Sequence, residues 1–319
     1  MSGKKQKPTT RTNDNGSTRR STAARQPAKR KNSIAAIIIV AVLAITGYWG
    51  ATNIFDLSDS HVLADGEAAV HYIDVGQGDS VLIQTTQGSV LIDGGDTSMG
   101  ARVVEYLKDA GVSEIAYVIA THPHADHIGG LIAVLGEFPV GTLIMPNVAH
   151  TTVTFERFLD AIEANDIPLR EPVADSSFSV GEAIFTIIAP NSENYQDLNN
   201  YSVSLRMVAG STAFIFTGDA EALSETEMLR HDLSADILYV GHHGSRTSTT
   251  QDFLDAVNPS VAVISAGEGN SYNHPNEEVL ERLESAGVRI YRTDYNGNIV
   301  MVTDGTDISI RSQFDGIHN

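Results

Sequence analysis

The chain has 319 residues, 42% of them hydrophobic, which allows one large domain or two small ones with a substantial core. It has no cysteine, which excludes disulfides and thiolate metal ligands. Its formal charge of −19 is uneven: residues 1–33 hold 10 Lys or Arg and one acid, a net of +9, and residues 34–319 hold 11 and 39, a net of −28. So acidic a region argues against duplex binding driven by basic contacts to phosphates.

The first part of the chain predicts a membrane anchor behind a basic tail. Residues 1–33 are almost devoid of apolar side chains and are predicted to be a disordered tail. Residues 34–55 carry no charge and are predicted to form one transmembrane helix. Because Lys29, Arg30 and Lys31 precede this span, the tail is predicted to be cytoplasmic and the remainder extracytoplasmic. A cleaved signal peptide, with secretion of the domain, is the alternative.

Residues 56–67 are predicted to be a linker, and residues 68–319 one domain of mixed α/β class. Predicted strands cover residues 70–75, 81–85, 90–92, 115–120, 183–189, 202–208, 213–217, 237–240, 261–265, 289–291, 299–302 and 308–311. Predicted helices cover residues 102–110, a stretch from about 128, 155–164, 221–231, 250–257 and 276–286. Asn296-Gly297 is predicted to be a hairpin turn. The order lacks a strict βαβ rhythm, which favours packed sheets with helices outside.

Residues 121–127 read Thr-His-Pro-His-Ala-Asp-His, a dense cluster for a chain with 11 histidines. The cluster follows the apolar run 115–120, so it is predicted to be the loop leaving a buried strand, where α/β proteins often place their sites. Imidazole suits Zn, Fe and Mn, and carboxylate suits the harder of these metals. The donors are too closely spaced for one metal to take them all, which predicts two metals side by side.

This run, followed after another strand by Thr217-Gly218-Asp219, resembles the metallo-β-lactamase superfamily. The resemblance implies a metallo-β-lactamase-like αββα sandwich. Three further segments resemble one subgroup, the extracytoplasmic metallo-hydrolase domain of ComEC-type competence proteins. They are residues 74–79 (Asp-Val-Gly-Gln-Gly-Asp), 241–245 (Gly-His-His-Gly-Ser) and 291–294 (Tyr-Arg-Thr-Asp). The similarity extends over about residues 68–302.

The resemblance also implies two divalent metal ions, Zn or Mn, and their ligands. The implied ligands are His122, His124, Asp126, His127, Asp219, His242 and His243. The first two histidines would hold the first metal, the following aspartate and histidine the second, and Asp219 would bridge them. One or both of His242 and His243 would complete the second site, and the sequence leaves the choice open. Asp93 would orient a ligand histidine from outside the ligand set.

Metallo-β-lactamases usually supply a third histidine to the first metal from the region before Thr-Gly-Asp. Residues 197–205 contain none, which argues against a β-lactamase and supports the ComEC-type subgroup. Asn200 or Ser202 could face the first metal or the substrate instead. With fewer nitrogen ligands, Mn becomes as plausible an occupant as Zn.

Further side chains are candidates for catalysis or substrate binding. Asp126 is a catalytic candidate as well as a ligand, and Asp79 is either catalytic or an ordinary turn residue. His274 could donate a proton to the leaving group, or could simply precede a helix. Ser245 and Arg246 could hold a substrate phosphate, although an arginine is by default a surface residue.

We therefore predict a membrane-anchored, outward-facing binuclear metal-dependent hydrolase, a phosphodiesterase or nuclease related to DNA-uptake proteins. Its partners would be the membrane and a phosphodiester: DNA, a nucleotide or a component of the cell envelope. Because the net charge of −28 after residue 33 repels a polyanion, a small phosphodiester or an envelope component is as well supported as DNA. The alternative is a non-catalytic envelope binding module with structural metals, and acyl or lactam hydrolysis is a third option. The sequence leaves the oligomeric state open.

Overall fold

A computed structural model of the protein describes residues 63–314. Within them, two β-sheets pack face to face. The strands of the first sheet are β1 (Ala68–Tyr72), β2 (Val81–Thr85), β3 (Gly88–Ile92), β4 (Ile115–Ile119), β5 (Val140–Ile144), β6 (Leu169–Arg170), β14 (Ile299–Thr303) and β15 (Ile308–Ser312). Those of the second are β7 (Ser177–Val180), β8 (Ala183–Ala189), β9 (Ser204–Ala209), β10 (Thr212–Phe216), β11 (Ile237–Tyr239), β12 (Val261–Ile264) and β13 (Arg289–Arg292).

The strand order is β15-β14-β1-β2-β3-β4-β5-β6 in the first sheet and β13-β12-β11-β10-β9-β8-β7 in the second. Each sheet is antiparallel on one side and parallel on the other. The parallel pairs run from β3 to β6 and from β10 to β13. Because the carboxyl ends of parallel strands share one edge, the loops after β3, β4, β10 and β11 can converge there.

The helices are α1 (Gly100–Asp109), α2 (Ala125–Ile128), α3 (Leu131–Glu137), α4 (Val153–Ala164), α5 (Ala222–Met228), α6 (Gln251–Val257), α7 (Glu277–Ser285) and α8 (Thr293–Asn296). In α1, Val103, Tyr106 and Leu107 are buried, a spacing of three and four that places one apolar face against the first sheet. The starts of α4, α6 and α7 are capped by Thr152, Thr250 and Asn276, whose side-chain oxygens accept backbone N–H groups.

Three apolar layers hold the domain together. Between the sheets, Tyr72 of β1 packs against Phe216 and Tyr239 of the second sheet, with ring centroids 6.5 and 5.3 Å away. Helices α1, α3 and α4 cover the outer face of the first sheet. Helices α5, α6 and α7 cover the outer face of the second. The predicted αββα sandwich is therefore confirmed.

The structure corrects several predicted elements. Strands β5, β6 and β7 were not predicted, because β5 is interrupted by Gly141, β6 has only two residues, and β7 alternates buried and exposed residues over only four positions. The hairpin predicted at Asn296-Gly297 is wrong, since β13 belongs to the second sheet and β14 to the first. Asn296 ends α8, and the chain crosses there from one sheet to the other. The turn between β14 and β15 closes a hairpin instead.

The predicted basic tail (1–33), the predicted transmembrane segment (34–55) and most of the predicted linker lie outside the described residues. Among residues 63–314, no helix is both long and apolar enough to cross a membrane.

Candidate metal centre

Three segments at one edge of the sandwich carry the predicted ligands. His122 and His124 follow β4, and Asp126 and His127 lie on α2 directly after them. Asp219 follows β10 in the second sheet. The histidine pair 242–243 follows β11. The structure therefore brings residues from both sheets to one place.

A first cluster consists of His122, His124 and Asp219, whose ligand atoms all lie within 4.8 Å of one another. The Nε2 atom of His122 is 2.9 Å from Nδ1 of His124 and 3.7 Å from Oδ2 of Asp219. His122 and Asp219 are buried, and His124 is partly exposed. These are the residues predicted to hold the first metal.

A second cluster consists of Asp126, His127 and His243, again within 4.8 Å. The Nε2 atom of His243 lies 3.4 Å from Oδ2 of Asp126 and 3.6 Å from Oδ1 of Asp219. The Nε2 atom of His127 is 3.3 Å from the same Oδ1. Asp219 thus presents Oδ2 to the first cluster and Oδ1 to the second, the arrangement expected of a bridging carboxylate.

Several buried atoms in these clusters have no hydrogen-bond partner, namely Nε2 of His127, Nε2 of His243 and Oδ1 of Asp219. An unsatisfied buried polar group costs about 1–3 kcal/mol, so each one calls for a physical reason. A cation among them would satisfy all three atoms, and imidazole with carboxylate is a donor set that suits Zn and Mn. The residues therefore fit the divalent metals that the sequence predicts.

Asp93 holds the second cluster in place from behind. It follows β3 and is fully buried in a left-handed conformation (φ 54°). Its carboxylate accepts hydrogen bonds from the Thr121 backbone N–H (2.9 Å) and hydroxyl (2.7 Å) and lies 2.8 Å from Nδ1 of His127. These contacts leave Nε2 of His127 directed at Asp219, in agreement with the predicted orienting role of Asp93.

Asp79 lies behind the ring of His243. Its Oδ1 is 3.2 Å from Nδ1 of His243 and accepts a hydrogen bond of 2.9 Å from the hydroxyl of Tyr239. Asp79 is 2% exposed, so it can orient His243 but does not face the open side of the site. A further group of Asp79, His127 and Asp219 has ligand atoms within 4.8 Å and overlaps the second cluster.

The carboxylates and imidazoles of the clusters shift one another's pKa values. Burial opposes charge on His127, but the carboxylates of Asp219, Asp93 and Asp126 outweigh it and hold its pKa well above the usual value. Burial and the charge of His127 hold the pKa of His122 well below its usual value. Burial disfavours the charge of Asp219 as well, yet His127 and neighbouring imidazoles lower its pKa. The carboxylates thus attract cations, which is what a metal site requires.

Two glycines allow the loops to approach. A Cβ on Gly78 (φ 131°) would lie 2.3 Å from the backbone oxygen of Asp126. A Cβ on Gly218 (φ 52°) would lie 2.9 Å from Cβ of Thr121. The turn before Asp79 and the turn before Asp219 therefore both require glycine.

The structure places Asn200 and Ser202 as supports of the site. The amide oxygen of Asn200 accepts backbone N–H groups of Glu221 (3.3 Å) and Ser224 (3.2 Å). The Ser202 hydroxyl accepts the Asp219 backbone N–H (3.0 Å) and lies 3.4 Å from Nδ1 of His122. That nitrogen is on the far side of the ring from the cluster, so Ser202 positions the two ligands.

His274 lies beside His242 and His243, and Ser245 and Arg246 lie on the loop that continues from these two histidines. The ring of His274 is 5.4 Å from that of His242 and stacks on Tyr272 at 5.7 Å. Burial, followed by the charges of His243 and His242, lowers the pKa of His274 to about 4. Ser245 is buried, with its hydroxyl 3.0 Å from that of Thr247, whereas Arg246 is exposed.

The sequence did not indicate Thr121, Tyr239 or Glu221 as parts of the site. Thr121 directly precedes the first histidine, so its position offered a signal. Tyr239 lies within an apolar strand and Glu221 at the start of a helix, and such residues are ordinary in those places. Their roles depend on contacts made across the sandwich.

Comparison with known proteins agrees with this fold. Residues 73–268 match the family described as the Metallo-beta-lactamase superfamily. ComE operon protein 3 of Bacillus subtilis (strain 168) is 33% identical over 73% of this chain and 33% of its own length. Competence protein ComA of Neisseria gonorrhoeae is 32% identical over 73% of this chain and 32% of its own. The chain therefore spans about a third of the length of these relatives.

Among solved structures, the metallo-beta-lactamase fold protein YhfI of Bacillus subtilis matches with a TM-score of 0.51. The two proteins are 12% identical, and the match covers 74% of this chain and 99% of the other. At that identity the likeness concerns the fold alone.

Proposed function

This chain belongs to the metallo-β-lactamase superfamily, whose members are typically metal-dependent hydrolases, and from that premise we propose that it is a binuclear metal-dependent phosphodiesterase. The observation that supports the proposal most is Asp219, whose two carboxylate oxygens face two different clusters of imidazoles and carboxylates. Paired metals about 3.5–4 Å apart are typical of enzymes that displace groups at phosphorus.

In the proposed site, His122, His124 and Asp219 hold one ion, and Asp126, His127 and His243 hold the other with the second oxygen of Asp219. Bound Zn or Mn would supply a nucleophile from water at neutral pH and stabilise the charge that develops on the phosphoryl oxygens. The protein fixes the positions of the ligands through Asp93 and Asp79, whose carboxylate oxygens lie 2.8 Å from Nδ1 of His127 and 3.2 Å from Nδ1 of His243.

The open side of the site offers groups for the substrate. The side chain of Asp126 is 35% exposed, unlike the other ligands of its cluster, so it is the one that can meet a substrate. Arg246 is exposed on the loop that follows His243, where a guanidinium can bind a phosphate through two hydrogen bonds. We assign Arg246 and Ser245 to phosphate binding and His274 to the leaving-group side.

The proposed substrate is a phosphodiester of DNA, a nucleotide or the cell envelope. One relative is named as a competence protein, which supports DNA, but this chain corresponds to only about a third of that protein. The net charge of −28 after residue 33 repels a polyanion, which supports a small or envelope phosphodiester. The proposal also keeps residues 34–55 as a membrane anchor, with residues 1–33 in the cytoplasm and the domain outside.

The test is hydrolysis of bis-p-nitrophenyl phosphate by the full chain in Zn or Mn. We expect turnover in the wild type and a loss of at least about 100-fold in D219N, more than the usual effect of changing an outer partner of a ligand. The matched control is D96N, which changes a partly exposed aspartate that caps a short turn and belongs to neither cluster. Thermal unfolding checks that both variants fold.

Other outcomes would identify another function. Two bound metals without turnover of phosphodiesters, nucleotides or DNA would favour the envelope binding module. Hydrolysis of nitrocefin without hydrolysis of phosphodiesters would favour the lactam-cleaving alternative.

A further inference from the structure

The two clusters are unequal in their ligands. The second has Asp126, His127, His243 and the Oδ1 atom of Asp219 around it. The first has His122, His124 and the Oδ2 atom of Asp219, one side chain fewer. A four-coordinate metal there would have one position left for water or for a further side chain.

The two side chains that the sequence suggested for this open position, Ser202 and Asn200, make other contacts. Ser202 contacts the rear nitrogen of His122 and the backbone of Asp219. Asn200 caps the start of α5 through its contacts with Glu221 and Ser224. Neither fills the missing position.

His242 lies on the side of Asp219 that faces the first cluster. Its Nε2 atom is 3.7 Å from Oδ2 of Asp219, the same distance and the same oxygen as for His122. Each oxygen of Asp219 therefore has two imidazole nitrogens near it, His122 and His242 at Oδ2, and His127 and His243 at Oδ1. His242 and His243, although adjacent in the chain, therefore lie beside different oxygens of the Asp219 carboxylate.

The backbone of the loop produces this division. His242 and His243 both have left-handed conformations, with φ of 51° and 55°, which cost energy for residues other than glycine. The backbone N–H of His242 donates to the carbonyl of Gly218 (3.0 Å), which ties this turn to the Asp219 loop. Such strain is found where the surrounding structure needs a particular placement of side chains.

The Nδ1 side of the His242 ring has the surroundings that are typical of a metal-binding histidine. Its Nδ1 atom is 3.4 Å from Oε1 of Glu221 and 3.4 Å from the hydroxyl of Thr247. The same Glu221 oxygen accepts a hydrogen bond of 2.8 Å from the Thr247 hydroxyl, which holds the carboxylate in place. A carboxylate behind Nδ1 fixes the proton there and leaves the Nε2 lone pair free for a metal.

We propose that His242, oriented by Glu221, is the missing protein ligand of the first metal, so that the adjacent histidines 242 and 243 serve different metals. This inference rests on the metal binding that the proposed function requires. It assigns His242 to the first site, whereas the sequence analysis expected one or both of His242 and His243 at the second site and left the choice open.

The test is a titration of the metal-stripped full chain with Mn²⁺, and separately with Zn²⁺, followed by calorimetry and by elemental analysis. The main variant is H242N, because asparagine tolerates left-handed backbone but its side chain is too short to reach. H231N is the control, since His231 contacts Asp175 and Asn191 instead. We expect two sites in the wild type and in H231N. In H242N we expect one site unchanged and the other at least about 10-fold weaker.

The double variant H122N/H242N identifies the site that is affected. If His242 shares a metal with His122, the double variant keeps one site of wild-type affinity. Loss of both sites in the double variant, or two unchanged sites in H242N, would overturn the inference. A wild type that binds fewer than two metals would instead contradict the proposed function.

E221Q provides a test that does not change a histidine or the strained backbone. We expect it to weaken the same site about 10- to 100-fold, the usual effect of losing an outer partner, and to leave the other site alone. Unchanged affinity at both sites in E221Q would contradict the role given to Glu221 and, if H242N does not fold, would overturn the inference.

Discussion

At the scale of single residues, the site depends on carboxylates that touch no solvent and that lie behind the ligands. Asp93 receives two hydrogen bonds from Thr121 and contacts His127, all within 2.9 Å. Such contacts fix both the tautomer and the direction of a ligand ring. The rigidity of the site therefore comes from residues one layer outside the clusters.

We expect D93N to bind metal at the second site about 10- to 100-fold more weakly. The amide NH₂ of asparagine cannot accept a hydrogen bond from Thr121 or His127, as the Asp93 carboxylate oxygen does. The metal-free variant should also lose about 1–3 kcal/mol of unfolding free energy through the unsatisfied buried donors. Metal titration and urea unfolding measure the two effects, with D96N as control. Wild-type metal affinity in D93N would contradict the role of Asp93.

His71 predicts a pH dependence of stability that is independent of the metal site. It lies on β1 with Nδ1 3.0 Å from the hydroxyl of Tyr106. Burial, followed by the charge of Arg311, lowers its pKa from 6.5 to about 4. The unfolded chain therefore takes up a proton at higher pH than the folded one, so stability falls as the pH falls from 6.5 towards 4.

For metal-free protein between pH 7.5 and 5, we expect His71 to account for about 2 kcal/mol of lost unfolding free energy. Urea unfolding of wild type and H71Q at both pH values measures it, since glutamine can keep the contact with Tyr106 but does not titrate. An equal pH dependence in the two proteins would show that His71 stays unperturbed.

At the scale of elements, the turn between β1 and β2 positions Asp79 against α2. Two glycines in this turn have positive φ but different surroundings: nothing lies within 4 Å of a Cβ on Gly76, whereas a Cβ on Gly78 would meet the backbone of Asp126 at 2.3 Å. Substituting alanine at Gly76 should therefore show the free-energy cost of positive φ alone, and substituting it at Gly78 should add the cost of the steric clash.

We expect G76A to lose about 1–2 kcal/mol of unfolding free energy and to keep its metal affinity. G78A should lose more and should also bind metal more weakly at the second site, because α2 must shift. Denaturant unfolding and metal titration of the two variants provide the comparison. Equal metal affinity in the two would mean that the close approach of this turn does not matter.

The sequence predicted most of these elements because their patterns are local. Strand β4 is an uninterrupted apolar run directly before the histidines, and α1 shows helical spacing of its buried side. The turn at Asn296-Gly297 has local hairpin chemistry, but the choice of sheet for β14 depends on its pairing with β1, more than 200 positions away. Local patterns do not contain that information.

The candidate site shows the same limit. The motif around His122 predicted that His122, His124, Asp126 and His127 would meet, because they lie within six positions of the chain. It did not predict that His242 and His243 would belong to different clusters, since that assignment depends on the left-handed backbone of both residues and on Glu221. Nor did it identify Tyr239, which reaches Asp79 across 160 positions.

At the scale of the whole molecule, the metals would join the two sheets. The first sheet contributes the loop with His122 to His127, and the second contributes Asp219 and the histidine pair. A ligand that binds only the folded state stabilises it in proportion to the logarithm of its concentration. Metal binding should therefore stabilise the sandwich as a unit.

At free metal 100 times the dissociation constant, each site adds about 2.7 kcal/mol, so two sites should raise the melting temperature of a domain of this size by about 10–20 °C. Calorimetry of the full chain with Mn²⁺ and with chelator measures the shift, and D219N should show little of it. A melting temperature that does not respond to metal would mean that the clusters are not metal sites.

The most direct test of the central claim is a crystal structure of the metal-loaded protein with anomalous diffraction at the absorption edge of the metal. We expect two peaks about 3.5–4 Å apart, one beside each carboxylate oxygen of Asp219. A single peak, or none between the histidines and Asp219, would contradict it.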